Sequence, residues 1–402
     1  MRGKIIVSLL NQFVTSGTNF IFSYYLIRSL SQEVFGLYGI CYATILLIAG
    51  VLNALITTQL IVYYHEKNDK IHEYISKMFY LGVLLSIAIL LVLSIPSFIT
   101  DNLIVELLPL VVISTGFYFL RDFTVRLSYI QNKEIHALII NFSACISLFI
   151  AVLITSFDDL LSALWYLTIS QLVALIVGIY CSRGNFTKVD FNELVTTFLE
   201  IFDLGKWGCG TDIILWLRSH SYIYIVTGLA GSSGVAIVNA AKMLVTPAVI
   251  LMPALSQLLM PHMARLAIKS KVQLIKTTWF VTLVYIGIAI LYSFLLLFFN
   301  QEIIDLLYPD DYKNIETLLY AWSLYLIFYA AVETLRIYMQ VTKQFKMIFY
   351  INIYLAFLLM LCVYVGYVML KVEGIVIGLM VIEAIFFVIL FGIFLKQNGL
   401  IY

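Results

Sequence analysis

The amino-acid sequence predicts an all-α polytopic membrane protein with twelve transmembrane helices, and three observations support this fold class. Of the 402 residues, 62% are hydrophobic and only 12% are charged, which is too apolar for an ordinary soluble domain. Apolar stretches of about 20 residues, long enough to cross roughly 30 Å of hydrocarbon, recur along the whole chain. These stretches are also too long and continuous for barrel strands, so the spans are helices.

The apolar stretches set the order of the elements. The first one contains several polar residues and lacks a small-residue cleavage site, so we interpret it as an uncleaved first span rather than a signal peptide. The predicted helices are, in order, 5–28, 35–63, 75–98, 104–130, 135–156, 159–181, 205–229, 233–261, 275–299, 314–340, 347–370 and 374–395.

The longest polar connection, residues 182–204, lies in the middle of the chain. Its acidic residues alternate with apolar ones, which predicts a short amphipathic helix at the membrane interface. This cytoplasmic linker separates an N-terminal lobe of six helices, residues 1–181, from a C-terminal lobe of six helices, residues 205–402.

The distribution of basic residues predicts the orientation. With a cytoplasmic N-terminus, seventeen of the 24 Lys and Arg residues fall on the inner side, three on the outer side and four within the spans. Because inner loops of membrane proteins carry the excess of Lys and Arg, both termini are predicted to be cytoplasmic.

A short internal repeat supports the division into two lobes. Tyr129-Ile130-Gln131, followed by Lys133, is echoed by Tyr338-Met339-Gln340, followed by Lys343. Both triplets end the fourth span of their half and precede a basic turn. Six spans per half give both halves the same orientation, so we predict a parallel pseudo-two-fold relation about the membrane normal.

Four cations lie inside the predicted spans, and two of them lie deep. Arg218 is near the middle of span seven, and Lys242 is about a third of the way into span eight. A cation in hydrocarbon costs a few kcal/mol even on lenient scales, so it normally faces a watery cavity or a partner. We predict that Arg218 and Lys242 bind an anion. The alternative for Arg218 is a structural pair with an acid on another span, such as Asp122 or Glu333.

The other intramembrane charges form closer sets. Arg121 and Asp122 are neighbours in span four, and Glu333 and Arg336 have i,i+3 spacing in span ten, so each set is either a self-neutralising pair or a gate. Asp212, with Glu333 and Glu383, is a candidate for H⁺ or Na⁺ coupling.

Span one carries a polar face. Asn11, Thr15 and Asn19 recur at i,i+4 spacing and therefore share one side of the helix. Hydrogen bonding between helices is the simpler interpretation, and contact with sugar hydroxyls is the alternative.

No motif for an enzyme, a cofactor or a nucleic-acid partner is apparent. The sequence contains no Walker-type phosphate loop, hydrolase nucleophile elbow or zinc signature, and its five cysteines show no metal-ligand spacing. We therefore expect a transporter that is not an enzyme and has no metal or other cofactor.

A resemblance to a known family adds to these inferences. The segment Arg28-Ser29-Leu30-Ser31-Gln32-Glu33-Val34-Phe35-Gly36-Leu37-Tyr38 resembles the start of polysaccharide flippases. These belong to the multidrug/oligosaccharidyl-lipid/polysaccharide (MOP) exporter superfamily, and the turn Gln131-Asn132-Lys133 with its echo at Gln340 also fits.

The resemblance implies a MATE-like arrangement of two six-helix lobes around a central cavity that works by alternating access. The implied substrate is an undecaprenyl-diphosphate-linked oligosaccharide for O-antigen or a related lipopolysaccharide or surface glycan of the bacterial inner membrane. Arg218 and Lys242 are the residues that would meet its diphosphate, and a polysaccharide polymerase and chain-length machinery are candidate partners. The main alternative is a cation-coupled multidrug exporter, which the absence of Asp and Glu from the first span disfavours.

Overall fold

The structure, a computed structural model, describes residues 2–64, 70–98, 106–155 and 159–398, and its regular secondary structure is helical throughout. The long helices are α1 (Arg2–Ser29), α2 (Gln32–Leu52), α4 (Ile71–Ser94), α5 (Leu108–Ile130), α6 (Glu134–Ile154), α7 (Leu160–Ser182), α8 (Phe191–Lys269), α9 (Lys271–Phe298), α11 (Glu316–Val341) and α12 (Phe345–Gln397). The short helices are α3 (Thr58–Tyr63) and α10 (Asn300–Leu307). A π-helical turn, Asn53–Thr57, joins α2 to α3.

Within the described residues, helices occupy all twelve predicted ranges, and residues 104, 105 and 156, at the ends of two of these ranges, lie outside the described residues. Predicted spans seven and eight share α8, and spans eleven and twelve share α12, because each of these two long helices contains a break. The backbone of α8 is non-helical at Gly231, and that of α12 is non-helical at Leu370 and Lys371. The 53 residues of α12 would otherwise be about 80 Å long, far more than one crossing needs. Among the described residues, 9 helices are long and apolar enough to cross a membrane. The number of crossings, twelve, stays a prediction.

The chain divides into two compact units. Unit 1 comprises residues 1–30 and 37–216, and unit 2 comprises residues 31–36 and 217–402. The division falls inside the seventh predicted span, and the predicted domain limits at 181 and 204 stay predictions. In unit 1, α5 packs against α4, α6 and α7, and α1 packs against α6. In unit 2, α11 packs against α9 and α12.

The predicted separate helix in 182–204 is wrong in its boundaries. A 3₁₀ turn, Arg183–Asn185, is followed by extended backbone, and α8 begins at Phe191 and continues without interruption into the seventh predicted span. The first turns of α8 bury Leu194 and Ile201 in an apolar cluster with residues of α3 and α4. This contact with the protein core explains why the segment does not form an isolated interfacial helix.

Each repeated triplet is followed by a turn of the same backbone type. Asn132 and Lys343 follow α5 and α11, and both have positive φ, 58° and 62°. In each turn the next residue donates its N–H to a carbonyl five positions earlier, Lys133 to Ser128 at 2.8 Å and Gln344 to Met339 at 2.9 Å, which is the Schellman pattern of helix ends. The positive-φ residue comes one position after Gln131 but three positions after Gln340, so the triplets do not align within the turns. The internal repeat and the symmetry of the lobes stay predictions.

The two halves of α12 approach closely through glycines. A Cβ at Gly374 would lie 1.8 Å from the carbonyl oxygen of Gly366, and one at Gly366 would lie 2.1 Å from that of Gly374. We expect Gly374→Ala to lower the free energy of unfolding by about 1–3 kcal/mol, because two backbones would have to separate.

The measurement is the thermal unfolding midpoint of the protein purified in neutral detergent. Gly392→Ala is the control, because Gly392 lies in the same helix and a Cβ there meets no atom within 4 Å. Equal midpoints for the two variants would contradict the close approach.

Candidate functional site

The break at Gly231 brings Lys242 against the preceding half of α8. The Lys242 Nζ donates to the Tyr222 hydroxyl at 3.1 Å, and that hydroxyl donates to Asn239 Oδ1 at 3.2 Å. The ammonium also lies 5.1 Å from the ring centroid of Tyr222 and 5.8 Å from that of Trp322 on α11. Within the described part of the chain, no carboxylate lies within ion-pair distance of Lys242. The ammonium is half-buried and its charge is not neutralised.

Arg218 is held by three residues of α12 in unit 2. Its Nη2 lies 3.7 Å from Glu383 Oε2, its Nη1 donates to Asn352 Oδ1 at 3.1 Å, and its Cζ lies 4.4 Å from the ring centroid of Phe386. Both charged side chains are almost completely buried, with exposed fractions of 10% for Arg218 and 4% for Glu383. Arg218 therefore pairs with an acid on another span, as the alternative interpretation predicts, but this acid is Glu383 rather than Asp122 or Glu333.

The second charge pair of unit 2 lies on α11. Arg336 donates to Glu333 at the predicted i,i+3 spacing, and the Glu333 side chain is only 6% exposed. Glu383 interacts electrostatically with both Arg218 and Arg336. These two arginines and two glutamates therefore balance one another, whereas Lys242 has no such partner among the described residues.

In unit 1, the acid next to Arg121 is bound elsewhere. Asp122 accepts a hydrogen bond from Arg126 Nε at 2.8 Å, and Asp212 on α8 also attracts Arg126. The guanidinium of Arg121 lies 4.8 Å from the ring centroid of Tyr118, and among the described residues no carboxylate is within ion-pair distance of it. The interpretation of Arg121 and Asp122 as a mutual pair is wrong, because neighbouring residues on a helix point in different directions.

The polar residues of α1 do not act together. Asn11 is buried, donates to the Tyr129 hydroxyl at 2.5 Å and accepts from Asn141 Nδ2 at 2.8 Å, which is hydrogen bonding between helices. Thr15 donates to the Asn11 carbonyl at 2.9 Å. Thr15 and the exposed Asn19 both line a small cavity beside Arg121.

The family of the chain follows from a match between most of its sequence and a known protein family. Residues 2–267, about two thirds of the chain, match the family model described as polysaccharide biosynthesis protein. The chain belongs to this family. It is also a multi-pass membrane protein with the fold of MOP superfamily transporters, as solved structures show. No curated protein sequence matches it.

Solved structures resemble this family member in fold, although their sequence identity to it is low. A multidrug resistance MATE family transporter of the MOP superfamily, in an inward-facing conformation, aligns with a TM-score of 0.77 and 13% identity over 98% of both chains. The lipid II flippase MurJ aligns with a TM-score of 0.75 and 15% identity over 99% of this chain and 88% of that one. A MOP superfamily transporter from Pyrococcus furiosus, described as having a binding pocket of reverse polarity, aligns with a TM-score of 0.65 and 11% identity over 97% and 95%.

Several site residues of this polysaccharide biosynthesis family member were not predicted from the sequence. Tyr222 and Trp322 lie against Lys242, and Asn352 binds Arg218, yet each reads as an ordinary residue of an apolar span. The signal for Glu383 was present, since it is an isolated acid in span twelve. Such an acid requires a cation, but the sequence does not say which one.

Proposed function

We propose that the protein is a flippase that moves an undecaprenyl-diphosphate-linked oligosaccharide across the bacterial inner membrane by alternating access. The oligosaccharide is the repeat unit of O-antigen or a related surface glycan, and both chain termini are cytoplasmic. The observation that carries the proposal is Lys242, a half-buried ammonium in a candidate span. It has aromatic and hydroxyl neighbours but, among the residues that the structure describes, no carboxylate within ion-pair distance.

The chemistry of Lys242 suits a diphosphate better than a cationic drug. An unneutralised ammonium in a low-dielectric site attracts anions strongly and repels cations. Membership of the polysaccharide biosynthesis family supports the glycan part of the substrate. The multidrug alternative has the support of a shared fold only, at 13% identity.

The roles of the remaining predicted residues follow from their partners. Arg218 is a weaker candidate for diphosphate binding than Lys242, because Glu383 already balances its charge. The buried carboxylates Glu333 and Glu383, and Asp212 in unit 1, are the candidates for H⁺ or Na⁺ coupling. A polysaccharide polymerase is the candidate partner that consumes the flipped product.

Complementation tests the proposal. A flippase-deleted bacterium that carries the glycan-synthesis genes matched to this chain is transformed with the native chain or with an empty vector. We expect the native chain to restore surface polysaccharide and to clear lipid-linked repeat units from the cytoplasmic leaflet. Measurement of cationic dye efflux in the same cells separates the alternatives. A well-expressed chain that accelerates efflux but leaves the glycan inside would make the protein a drug exporter.

A further inference from the structure

Two adjoining cavities in unit 1 combine an apolar lining with a buried cation. The first is a cleft between α1 and α6, with an apolar lining of Ile21, Phe22, Leu148, Phe149 and Val152 and with Thr18 and Cys145 at its sides. The second is a polar cavity lined by Thr15, Thr18, Asn19, Arg121, Asn141, Ala144, Leu148 and Gln171. Thr18 and Leu148 line both cavities, which therefore adjoin.

The polar cavity has unused hydrogen-bonding capacity. Arg121, Asn141 and Gln171 are each about 95% buried, with exposed fractions of 6%, 6% and 5%. In the described structure, Arg121 Nε, Asn141 Oδ1 and Gln171 Oε1 have no hydrogen-bond partner. Three orphaned polar atoms around one cavity are unusual, because buried polar groups are normally paired.

The charge of the cavity selects the sign of a ligand. Asp122, the acid next in sequence, is bound to Arg126, and among the described residues no carboxylate is in place to neutralise Arg121. Arg121 can donate to an oxyanion, and the carboxamides of Asn141 and Gln171 offer N–H donors after a half-turn, which for Gln171 replaces its 3.3 Å hydrogen bond to Ser170. After such a turn of Asn141, the hydrogen bonds that join Asn141, Asn11 and Tyr129 are retained if the donor and the acceptor of each bond exchange roles.

We propose that unit 1 binds a single-chain anionic lipid, with its apolar chain in the cleft between α1 and α6 and its small oxyanion head at Arg121. The polar cavity has room for about one water-sized atom, so it admits one oxygen of a compact head such as a carboxylate. The cleft opens to the lipid-facing surface, since Ile21 and Phe149 are more than half exposed. This site is independent of the export function and of Lys242.

A photoactivatable fatty acid with a diazirine in its chain tests the proposal on the protein purified in neutral detergent. Below its micellar concentration, we expect it to label residues of α1 and α6 around Cys145, as mapped by mass spectrometry. Unlabelled oleate should compete with the labelling, whereas oleyl alcohol (chain without charge) and acetate (charge without chain) should not. Competition by acetate or chloride alone would overturn the proposal in favour of a small-anion site.

Variants separate binding from folding. We expect Arg121→Gln to reduce the labelling by roughly tenfold or more, the effect of losing a charge-assisted hydrogen bond. Gln171→Glu places a carboxylate beside Arg121, so it should abolish labelling without lowering the unfolding midpoint. Arg183→Gln removes a guanidinium that also lies over a tyrosine ring, 4.6 Å from the centroid of Tyr180, but lies outside the cavity, so it should retain the labelling. Equal labelling of the native protein and the three variants would refute the site.

Discussion

Replacing Lys242 by methionine is expected to reduce glycan export by roughly tenfold or more at matched protein levels, because the substrate loses a charge-assisted hydrogen bond. Methionine retains the length and the apolar part of the side chain, so its contacts with Tyr222 and Trp322 survive. Lys242→Arg keeps the charge and should retain part of the export. The measurement is surface polysaccharide in the complemented bacterium while expression of the protein is limiting.

Lys371 provides a matched control. Its ammonium also lies over a tyrosine ring, 5.4 Å from the centroid of Tyr367, but the residue is exposed at the break in α12. Lys371→Met removes the same charge from the same kind of contact and should leave export close to native. If Lys242→Met exports as well as Lys371→Met does, the diphosphate is not bound at Lys242.

Replacing Glu383 by glutamine is expected to destabilise the protein by about 3–5 kcal/mol, the usual effect of breaking a buried ion pair. Glutamine has nearly the same shape as glutamate and can still accept a hydrogen bond, but it lacks the negative charge that balances the buried guanidinium of Arg218. The attraction between Glu383 and Arg336 is lost as well. The thermal unfolding midpoint in detergent measures the effect.

A double variant then decides the role of Arg218. Replacing both Arg218 and Glu383 by methionine removes the pair together, and such replacements are often neutral for stability. If Arg218 is structural, the double variant recovers both the unfolding midpoint and glycan export, whereas Arg218→Met alone loses both. Recovery of the midpoint without export would show that the pair takes part in export itself, through substrate contact by Arg218 or ion coupling by Glu383.

The exposed ion pair of Asp203 and Lys206 is the control that separates the effect of removing a charge from the effect of burial. It joins two exposed side chains at 2.8 Å, and the hydrogen bond from Lys206 holds the pKa of the Asp203 carboxyl below its ordinary value. Lys206→Met should not change the unfolding midpoint measurably, because exposed ion pairs contribute little to stability. A loss as large as that of Glu383→Gln would mean that charge removal itself, rather than burial, destabilises the protein.

The helices were predictable because their signal is local. An apolar stretch of membrane length forms a helix whatever its neighbours are, so each of the twelve predicted ranges contains a helix in the structure. The linker shows the limit of this reasoning. Its alternating pattern indicated an amphipathic helix, but the buried Leu194 and Ile201 belong to a core assembled from other helices. Local pattern therefore established that a face is apolar, but not what covers that face.

The sequence by itself determined the class of protein and which charges lie among apolar residues. Only the tertiary structure decided which of these charges are paired. Arg218 and Glu383 are 165 positions apart in the chain, and Arg121 is separated from its neighbour Asp122 by the direction of the side chains. Pairing depends on how each helix is rotated about its axis and on which helices it packs against, since only side chains within a few ångströms neutralise each other. The hydropathy of a sequence does not report helix rotation or helix packing. Only the structure therefore shows that Lys242 and Arg121 lack a carboxylate partner among the described residues.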